Sequence, residues 1–193
     1  MVKARVAVLV SGRGSNMAAL IDAAGSHDCP YRVALVASNN PEAPGLEIAR
    51  QAGIATFAHS HKGLGREQFD LLIDDALRAA GIEYVALAGY MRILSDPFVT
   101  RWAGRMVNIH PSLLPAYKGL DTHARAIAAG DAEAGCSVHL VTPTLDDGEV
   151  IAQARVPILP GDTPQSLAAR VLEQEHRLYP EALARYIRTH GGR

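Results

Sequence analysis

Residues 6–16 of the chain read VAVLVSGRGSN. The first five of these residues are apolar, as is typical of a central strand in a parallel sheet that helices cover on both faces. The remaining residues, SGRGSN, make a turn with two glycines, and a helical pattern begins where the turn ends. A strand that runs through such a turn into a helix is the start of a βαβ unit. We therefore predict that this stretch lies at the centre of an α/β fold.

The rest of the chain repeats this alternation of apolar runs and helical patterns. The clearest helix covers residues 66–80, where apolar side chains recur at helical spacing and charged residues, Asp70 and Asp74 among them, are expected on the opposite face. The pattern indicates a Rossmann-like, open and mostly parallel sheet with helices on both faces, built as a single domain over residues 1–193. Further candidate strands are short runs of mainly apolar residues at 33–37, 84–88 and 106–109.

The next part of the chain is less regular. Residues 111–120 contain two prolines and follow no period, so we expect an ordered loop with a functional role. A short helix at 122–129 comes next. Two strands, at 136–141 and 150–156, are then joined into a hairpin by a turn at 146–148.

The chain ends in a long helical pattern that runs from residue 163 to about residue 189. Thr163 or Asp162 is the expected N-cap, and Pro164 suits the first turn. Pro180 lacks a backbone N–H group, so we expect it to interrupt this helix.

Composition limits the classes of function. The chain has 193 residues, 48% hydrophobic and 20% charged, and its 19 basic and 20 acidic residues give a net charge of -1. This balance favours neither nucleic acid nor an anionic membrane as a partner. Cys29 and Cys136 lack the spacing of a disulfide framework or a zinc site. With no signal-peptide core and no apolar run of membrane-spanning length, we expect a cytoplasmic protein whose oligomeric state the sequence leaves open.

The SGRGSN turn is a candidate phosphate site. Backbone N–H groups at the start of a helix bind anions, although an ordinary strand-to-helix turn also uses glycines. A dinucleotide fingerprint needs a third glycine where this chain has Met17, and an acidic residue is missing from Ser38-Asn39-Asn40 after the second strand. The Gly-Lys-Ser/Thr of a Walker A loop is also absent from the sequence. A compact phosphomonoester therefore fits this turn better than NAD or ATP.

Asn108 and His110 are candidate catalytic residues. They follow one another at a spacing of two at the carboxyl end of a predicted strand, which places both side chains on one side of it. An amide donor and an imidazole suit the stabilisation of an oxyanion and the transfer of a proton. Asp146 would hold the imidazole in its charged form if the fold brings the two together. The alternative is a structural histidine and, at Asp146 and Asp147, an ordinary hairpin turn.

Other reaction types find little support. The remaining histidines lack the spacing of a metal site, and neither a nucleophile elbow nor a catalytic cysteine signature is present in the sequence. We therefore expect neither a bound metal nor a covalent enzyme intermediate.

Several segments, in order along nearly the whole chain, resemble the phosphoribosylglycinamide formyltransferases, a branch of the folate-dependent formyltransferase family. The related methionyl-tRNA formyltransferases have a further C-terminal domain for which 193 residues leave no room, and formyltetrahydrofolate hydrolases carry an N-terminal regulatory domain where this chain begins with its first strand. The segments that carry the resemblance are SGRGSN, LAGYMRIL at 87–94, NIHPSLLP at 108–115, SVHLVTPTLDDG at 137–148 and QEH at 174–176.

The resemblance implies a reaction and roles for the catalytic candidates. The amine of phosphoribosylglycinamide would attack the formyl carbon of 10-formyltetrahydrofolate, and the two products would be formylglycinamide ribonucleotide and tetrahydrofolate. Asn108 would donate its amide to the formyl oxygen, and His110 would stabilise the oxyanion and act as general acid. Asp146 would keep the imidazole charged and help to relay the proton.

The resemblance also assigns binding roles, with the N-terminal half holding the ribonucleotide and the C-terminal half completing the folate cleft. Each assigned residue has a simpler explanation as a surface or core residue. The residues implied to bind the ribonucleotide are Gly14, Ser15, Asn16, Ile109, Pro111 and Glu175. Those implied to border the folate are Arg66, Met91, Arg92, Ile93, Leu94, Thr142 and Leu145.

Two positions depart from the family's pattern. Asp147 stands where a glycine is common, and Lys118 where a proline is frequent. The second carboxylate leaves open which aspartate acts on His110. Two other functions also stay open: a 10-formyltetrahydrofolate hydrolase, in which water attacks the same formyl group, and a non-enzymatic nucleotide-binding module.

Overall fold

The computed structural model describes residues 2–191 as one seven-stranded sheet with helices packed against it. In chain order its elements are β1 (Ala4–Val10), α1 (Ser15–Ala24), β2 (Tyr31–Ser38), α2 (Pro44–Gln51), β3 (Ala55–Ala58), α3 (Arg66–Ala79), β4 (Tyr84–Leu87), α4 (Asp96–Arg101), β5 (Met106–His110), α5 (Thr122–Ala129), β6 (Glu133–Leu140), β7 (Val150–Pro157) and α6 (Pro164–His190).

The strand order in the sheet is β3-β2-β1-β4-β5-β6-β7. Neighbouring strands from β3 to β5 are parallel, whereas β6 and β7 are antiparallel and form the expected hairpin. The apolar run that opens the chain is therefore a central strand, since β1 lies between β2 and β4. The predicted open, mostly parallel sheet is confirmed.

Alternate side chains of β1 enter two separate cores. Val6, Val8 and Val10 pack on one face with residues from α1, α2 and α6. Ala7 and Leu9 pack on the other face with residues from α3 and α4. All five side chains are fully buried, and full burial of a valine or leucine stabilises the fold by roughly 1.5–3 kcal/mol. Helices therefore cover both faces of the sheet, as predicted.

The polar face of α3 differs from the expectation. Asp70 and Asp74 are buried, at 2% and 1% exposure, instead of facing solvent. Asp74 accepts hydrogen bonds from the indole Nε1 of Trp102 and from the guanidinium of Arg101, both at the end of α4. Asp70 accepts a hydrogen bond from the backbone N–H of Ser95. The prediction was wrong because α4 supplies donors that the helical period of α3 cannot reveal.

The prediction that Pro180 interrupts the last helix was also wrong. α6 continues without a break, and Thr163 is its N-cap, accepting a hydrogen bond from the backbone N–H of Ser166. Pro180 removes one backbone donor, but it is buried beside Tyr179, whose hydroxyl donates to two backbone carbonyl groups of the sheet. Packing against the sheet thus holds the helix together on both sides of the proline. Among residues 2–191, no helix has both the length and the apolar character of a membrane span.

The sheet topology places several loops at one edge. From β1 the chain proceeds outward to β2 and β3, then crosses back to β4 on the other side of β1. Open α/β sheets bind ligands at such a switch point, outside the carboxyl ends of the strands. The loops that follow β1, β4 and β5 lie at that edge, and they contain the candidate site residues Gly14, 91–94 and Pro111.

Candidate active site

The turn after β1 needs glycine for packing as well as for conformation. Gly14 has a φ angle of 76°, and a Cβ atom built on it would lie 2.9 Å from the Cα of Gly45 in α2. The N–H group of Gly45 donates to the carbonyl of Gly12 at 3.0 Å, which fixes the turn against α2. No side chain caps α1 within the part of the chain that the structure describes. The first N–H groups of this helix are therefore available to a ligand.

A cavity of about 420 Å³ lies beside this turn. Ser11, which the sequence analysis did not single out, lines this cavity and bonds to the loops that follow β2 and β4. The Ser11 hydroxyl donates to the side-chain oxygen of Asn39 at 2.6 Å and accepts from the backbone N–H of Met91 at 2.8 Å. The sequence feature that could have identified Ser11 is its position directly after the central strand. The residues that line the cavity are Ser11, Gly12, Arg13, Gly14, Ser15, Asn16, Ala88, Gly89 and Met91.

Asn16 connects this turn to α6. Its Nδ2 donates to Oε2 of Glu175 at 2.6 Å, and both residues are buried. Burial raises the pKa of the Glu175 carboxyl, while the bond from Asn16 and the charges of two nearby histidines act in the opposite direction. The oxygen of the same amide, Asn16 Oδ1, has no hydrogen-bond partner among the described residues. The structure thus brings Gly14, Ser15, Asn16 and Glu175 together and leaves a buried acceptor unpaired.

Asn108, His110 and Asp146 also come together. The first two lie on β5, and Asp146 lies in the loop between β6 and β7, where its φ angle of 50° is left-handed. The Asp146 Oδ2 atom lies 3.4 Å from Nδ1 of His110 and accepts the backbone N–H of Gly119 at 2.9 Å. The side chains of His110 and Asp146 are only 8% and 6% exposed. The imidazole and the carboxylate thus lie within ion-pair distance of each other and are shielded from solvent.

The second ring nitrogen of His110 contacts a different loop. Nε2 donates to the backbone carbonyl of Tyr117 at 3.0 Å. Both ring nitrogens therefore face hydrogen-bond acceptors, which suits a doubly protonated ring. The imidazole is held between the loop of residues 111–120 and the loop of residues 141–149.

His139 is a neighbour of the site that sequence reasoning dismissed as an isolated histidine. It lies opposite Asn108 in the β5–β6 ladder, and its Nε2 is 3.1 Å from Asn108 Nδ2. Burial lowers the pKa of His139, so the ring is neutral, with Nδ1 donating to the Leu140 carbonyl and Nε2 accepting from Asn108. One amide hydrogen of Asn108 is thereby fixed, and the other is left for a ligand. The sequence feature that could have identified His139 is its position between two apolar residues, Val138 and Leu140, within a strand.

The structure also separates the two neighbouring aspartates. Asp146 is buried against His110, whereas the Asp147 side chain is 52% exposed and forms an ion pair with Lys118. Asp146, and not Asp147, is therefore the carboxylate that contacts His110. The two positions at which this chain departs from the family's pattern are in contact with each other.

Three of the residues implied to border the folate expose apolar side chains. Met91, Ile93 and Leu145 are 69%, 58% and 56% exposed, although all three are hydrophobic. The first two follow β4, and Leu145 precedes Asp146. Exposed apolar side chains next to a buried polar cluster are typical of a ligand-binding cleft.

The polar residues implied to border the folate are Arg66, Arg92 and Thr142, and each has different neighbours. The Arg92 guanidinium lies 4.9 Å from the centre of the Phe69 ring and donates to the carbonyl of Gly65, which precedes the exposed Arg66 at the start of α3. The Thr142 hydroxyl donates to the Thr144 carbonyl within its own loop.

The side chains of Leu94 and Ile109 belong to the hydrophobic cores, so backbone groups are what these residues present to a ligand. Pro111 is half-buried, and its carbonyl accepts from the hydroxyl of Thr122 in α5.

The arrangement has the components of acyl transfer through an oxyanion. Asn108 offers an amide donor, His110 an imidazole and Asp146 a carboxylate, all at the edge of the sheet where ligands bind. Within residues 2–191, His, Cys, Asp and Glu side chains form no group of three or more that is suited to hold a metal ion.

Comparison with known proteins identifies the family. The formyl transferase family model matches residues 4–183. Phosphoribosylglycinamide formyltransferase of Escherichia coli K12 is 49% identical over 176 residues, which cover 91% of this chain and 83% of that protein. The trifunctional purine biosynthetic protein adenosine-3 of Drosophila melanogaster is 49% identical over 186 residues, 95% of this chain. The chain spans only 14% of the length of that trifunctional protein.

Solved structures agree with the sequence comparison. The crystal structure of phosphoribosylglycinamide formyltransferase from Brucella melitensis superposes with a TM-score of 0.92 at 49% identity, covering 96% of each chain. Glycinamide ribonucleotide transformylase 1 from Symbiobacterium toebii gives a TM-score of 0.91 at 44% identity, covering 94% of this chain and 86% of that one. Sequence, fold and the match over residues 4–183 lead to the same conclusion: this chain belongs to the formyl transferase family.

Proposed function

We propose that this protein transfers the formyl group of 10-formyltetrahydrofolate to the amine of 5'-phosphoribosylglycinamide, giving formylglycinamide ribonucleotide and tetrahydrofolate in purine biosynthesis. The observation that carries the proposal is the connected cluster of Asn108, His110 and Asp146 at the edge of the sheet that holds the SGRGSN turn. Relatives from Escherichia coli and Haemophilus influenzae, 49% and 45% identical, are phosphoribosylglycinamide formyltransferases.

In the proposed reaction the substrate amine attacks the formyl carbon, and negative charge develops on the formyl oxygen. Asn108 donates its second amide hydrogen to this oxygen, because His139 already accepts the first. His110 provides a second donor to the same oxygen. Oxyanion donors fixed in advance are among the largest contributions to catalysis of acyl transfer.

The intermediate collapses when the bond between the formyl carbon and N10 of the folate breaks. The attacking amine passes one proton to the Asp146–His110 pair, and N10 gains one from the same pair, so the pair ends unchanged and the overall transfer is neutral. His110 donates this proton as general acid, and Asp146 stabilises the charged imidazole, as the 3.4 Å distance allows. During the reaction the hydrogen bond from His110 Nε2 passes from the Tyr117 carbonyl to the substrate.

The N-terminal half is proposed to bind the ribonucleotide. Its phosphate would accept hydrogen bonds from Gly14, Ser15 and Asn16 at the start of α1, beside the charged side chain of Arg13. Glu175 and the unpaired Asn16 Oδ1 are acceptors that suit the hydroxyl groups of a ribose. Ile109 and Pro111 would contact the glycinamide end from β5.

The C-terminal half is proposed to complete the folate cleft. The exposed apolar side chains of Met91, Ile93 and Leu145 fit a flat aromatic ring such as the pteridine. The backbone of Leu94 and the loop at Thr142 would border the same ring. Arg66 and Arg92, at the start of α3 and beside it, suit the carboxylates of the benzoylglutamate side.

The proposed ligands are thus small molecules, and we propose neither nucleic acid nor a membrane as a partner. We also propose that the protein works in the cytoplasm. The support is the state of its two cysteines: Cys29 and Cys136 are both buried and neither forms a disulfide.

The test is to follow deformylation of a 10-formyltetrahydrofolate analogue by absorbance, with and without phosphoribosylglycinamide. Turnover that requires the ribonucleotide supports the transferase. Turnover without it would indicate a hydrolase, and no turnover in either case would leave a nucleotide-binding module as the better explanation.

A further inference from the structure

We propose that Lys118 and Asp147 are positioning residues whose ion pair keeps Asp146 seated against His110. The inference rests on the proposed function, since it concerns the same imidazole. Lys118 belongs to the loop of residues 111–120 and Asp147 to the loop of residues 141–149, and their side chains form an ion pair across the gap between the two loops.

The pair extends a contact that already involves the catalytic carboxylate. Gly119, next to Lys118, donates its N–H to Asp146, next to Asp147, at 2.9 Å. Two consecutive residues of one loop thus bond to two consecutive residues of the other. A shift of either loop would change both contacts together.

His110 is held by the same two loops. The Tyr117 carbonyl accepts from its Nε2 at 3.0 Å, and the Asp146 carboxylate lies 3.4 Å from its Nδ1. The loops have no regular ladder to fix their separation, so the ion pair between Lys118 and Asp147 closes a ring of contacts around the imidazole. If the loops separated, Asp146 would move away from Nδ1.

The first loop is already anchored on its other side. Arg125 of α5 donates to the carbonyls of Lys118 and Leu120, at 2.7 and 3.2 Å, and its guanidinium lies over the Tyr117 ring. The second loop has its Asp147 side chain half-exposed. The first loop is held by Arg125, and the ion pair ties the second loop to it. The ion pair therefore restrains the loop that contains Asp146.

The exposure of the Lys118 and Asp147 side chains sets how much their ion pair can change kcat. Lys118 and Asp147 side chains are 38% and 52% exposed, and pairs of this kind contribute little to global stability. We expect Asp147→Asn and Lys118→Met each to lower kcat by about two- to fivefold, with the KM for the ribonucleotide unchanged. The double variant should be no slower than either single variant, because both changes remove the same contact.

A charge-reversed protein, Lys118→Asp with Asp147→Lys, should recover kcat to within about twofold of the parent, which a loss of packing alone would not allow. Raising KCl from 0.01 to 1 M shortens the screening length to about 3 Å, so kcat of the parent should approach that of the variants. Asp75→Asn is the control, because Asp75 also forms a surface ion pair, with Arg78 on α3, outside the candidate site. It should leave kcat and its salt response unchanged.

A second measurement does not depend on activity. Exchange of the Gly119 amide hydrogen, followed by NMR, should be about two- to fivefold faster in Asp147→Asn than in the parent or in Asp75→Asn. If the parent transfers no formyl group, the proposed function fails, yet this exchange rate still decides whether the pair holds the loops. Equal exchange rates, or kcat losses that multiply in the double variant, would overturn the proposal.

Discussion

Asp146→Asn removes one negative charge beside His110 while keeping the shape of the side chain. The carboxylate lies 3.4 Å from His110 Nδ1, and both side chains are almost fully buried. At this distance Coulomb's law with an effective dielectric constant of about 20 gives an attraction of about 5 kcal/mol between the carboxylate and an imidazolium. The asparagine oxygen can still accept from Gly119, and its dipole replaces part of that attraction. We therefore expect a loss of about 3–4 kcal/mol in the transition state, which corresponds to a fall in kcat of about 10²- to 10³-fold.

The assay is steady-state formyl transfer with both substrates saturating, together with circular dichroism to verify the fold. Asp147→Asn is the matched comparison, since it removes the same charge one residue along the chain from a side chain paired with Lys118. It should lose no more than about fivefold. A kcat for Asp146→Asn within tenfold of the parent, or equal losses in both variants, would refute the assignment of Asp146.

Three further predictions concern other parts of the molecule. Asn108→Ala should lower kcat by about 10²- to 10³-fold with the fold intact, and near-normal turnover would exclude an oxyanion role. Burial raises the pKa of Glu175 above its ordinary value of 4.5, so the folded state disfavours the charge at neutral pH. Glu175→Gln should therefore raise Tm at pH 7 but lose that advantage as the pH falls below 4.5, while an equal shift at both pH values would contradict this cause. Asp74→Ala should destabilise the fold by about 2–4 kcal/mol in urea unfolding, since it leaves the Trp102 N–H buried without its acceptor, and a loss under about 1 kcal/mol would contradict the buried network.

Local sequence patterns were enough to predict the elements that the helical and strand periods define. The strand at residues 6–10 and the helices that begin at Arg66 and Thr122 appear where their patterns place them. These elements bury a continuous apolar run or stripe, so the residues that form them also determine their packing. The predicted sheet class followed from the alternation of such elements.

Features that depend on distant residues could not be predicted in the same way. Asp70 and Asp74 follow the helical period of a solvent face, but donors from the chain around α4 cover them. Pro180 breaks a local rule, and the burial of Tyr179 against the sheet compensates for it. In both cases a tertiary contact outweighed a local preference.

In the candidate site, too, local patterns predicted some residues, whereas contacts between distant residues could not be predicted. Asn108 and His110 were evident from their place at a strand end, because that placement needs only the strand itself. The contact between Lys118 and Asp147 joins residues 29 positions apart, and that between Asn16 and Glu175 joins residues 159 positions apart. His139 was missed because its partner, Asn108, is set by the register of an antiparallel pair and not by spacing along the chain.

A single-turnover experiment with ¹³C-labelled formyl on 10-formyltetrahydrofolate tests the proposed reaction as a whole. Excess protein would be mixed with phosphoribosylglycinamide, and the carbon would be located by NMR. The geometry around Asn108, His110 and Asp146 predicts that the label appears as a formamide on the glycinamide nitrogen, and that Asp146→Asn slows its appearance by about 10²- to 10³-fold. Label recovered as free formate, with the glycinamide unmodified, would contradict formyl transfer.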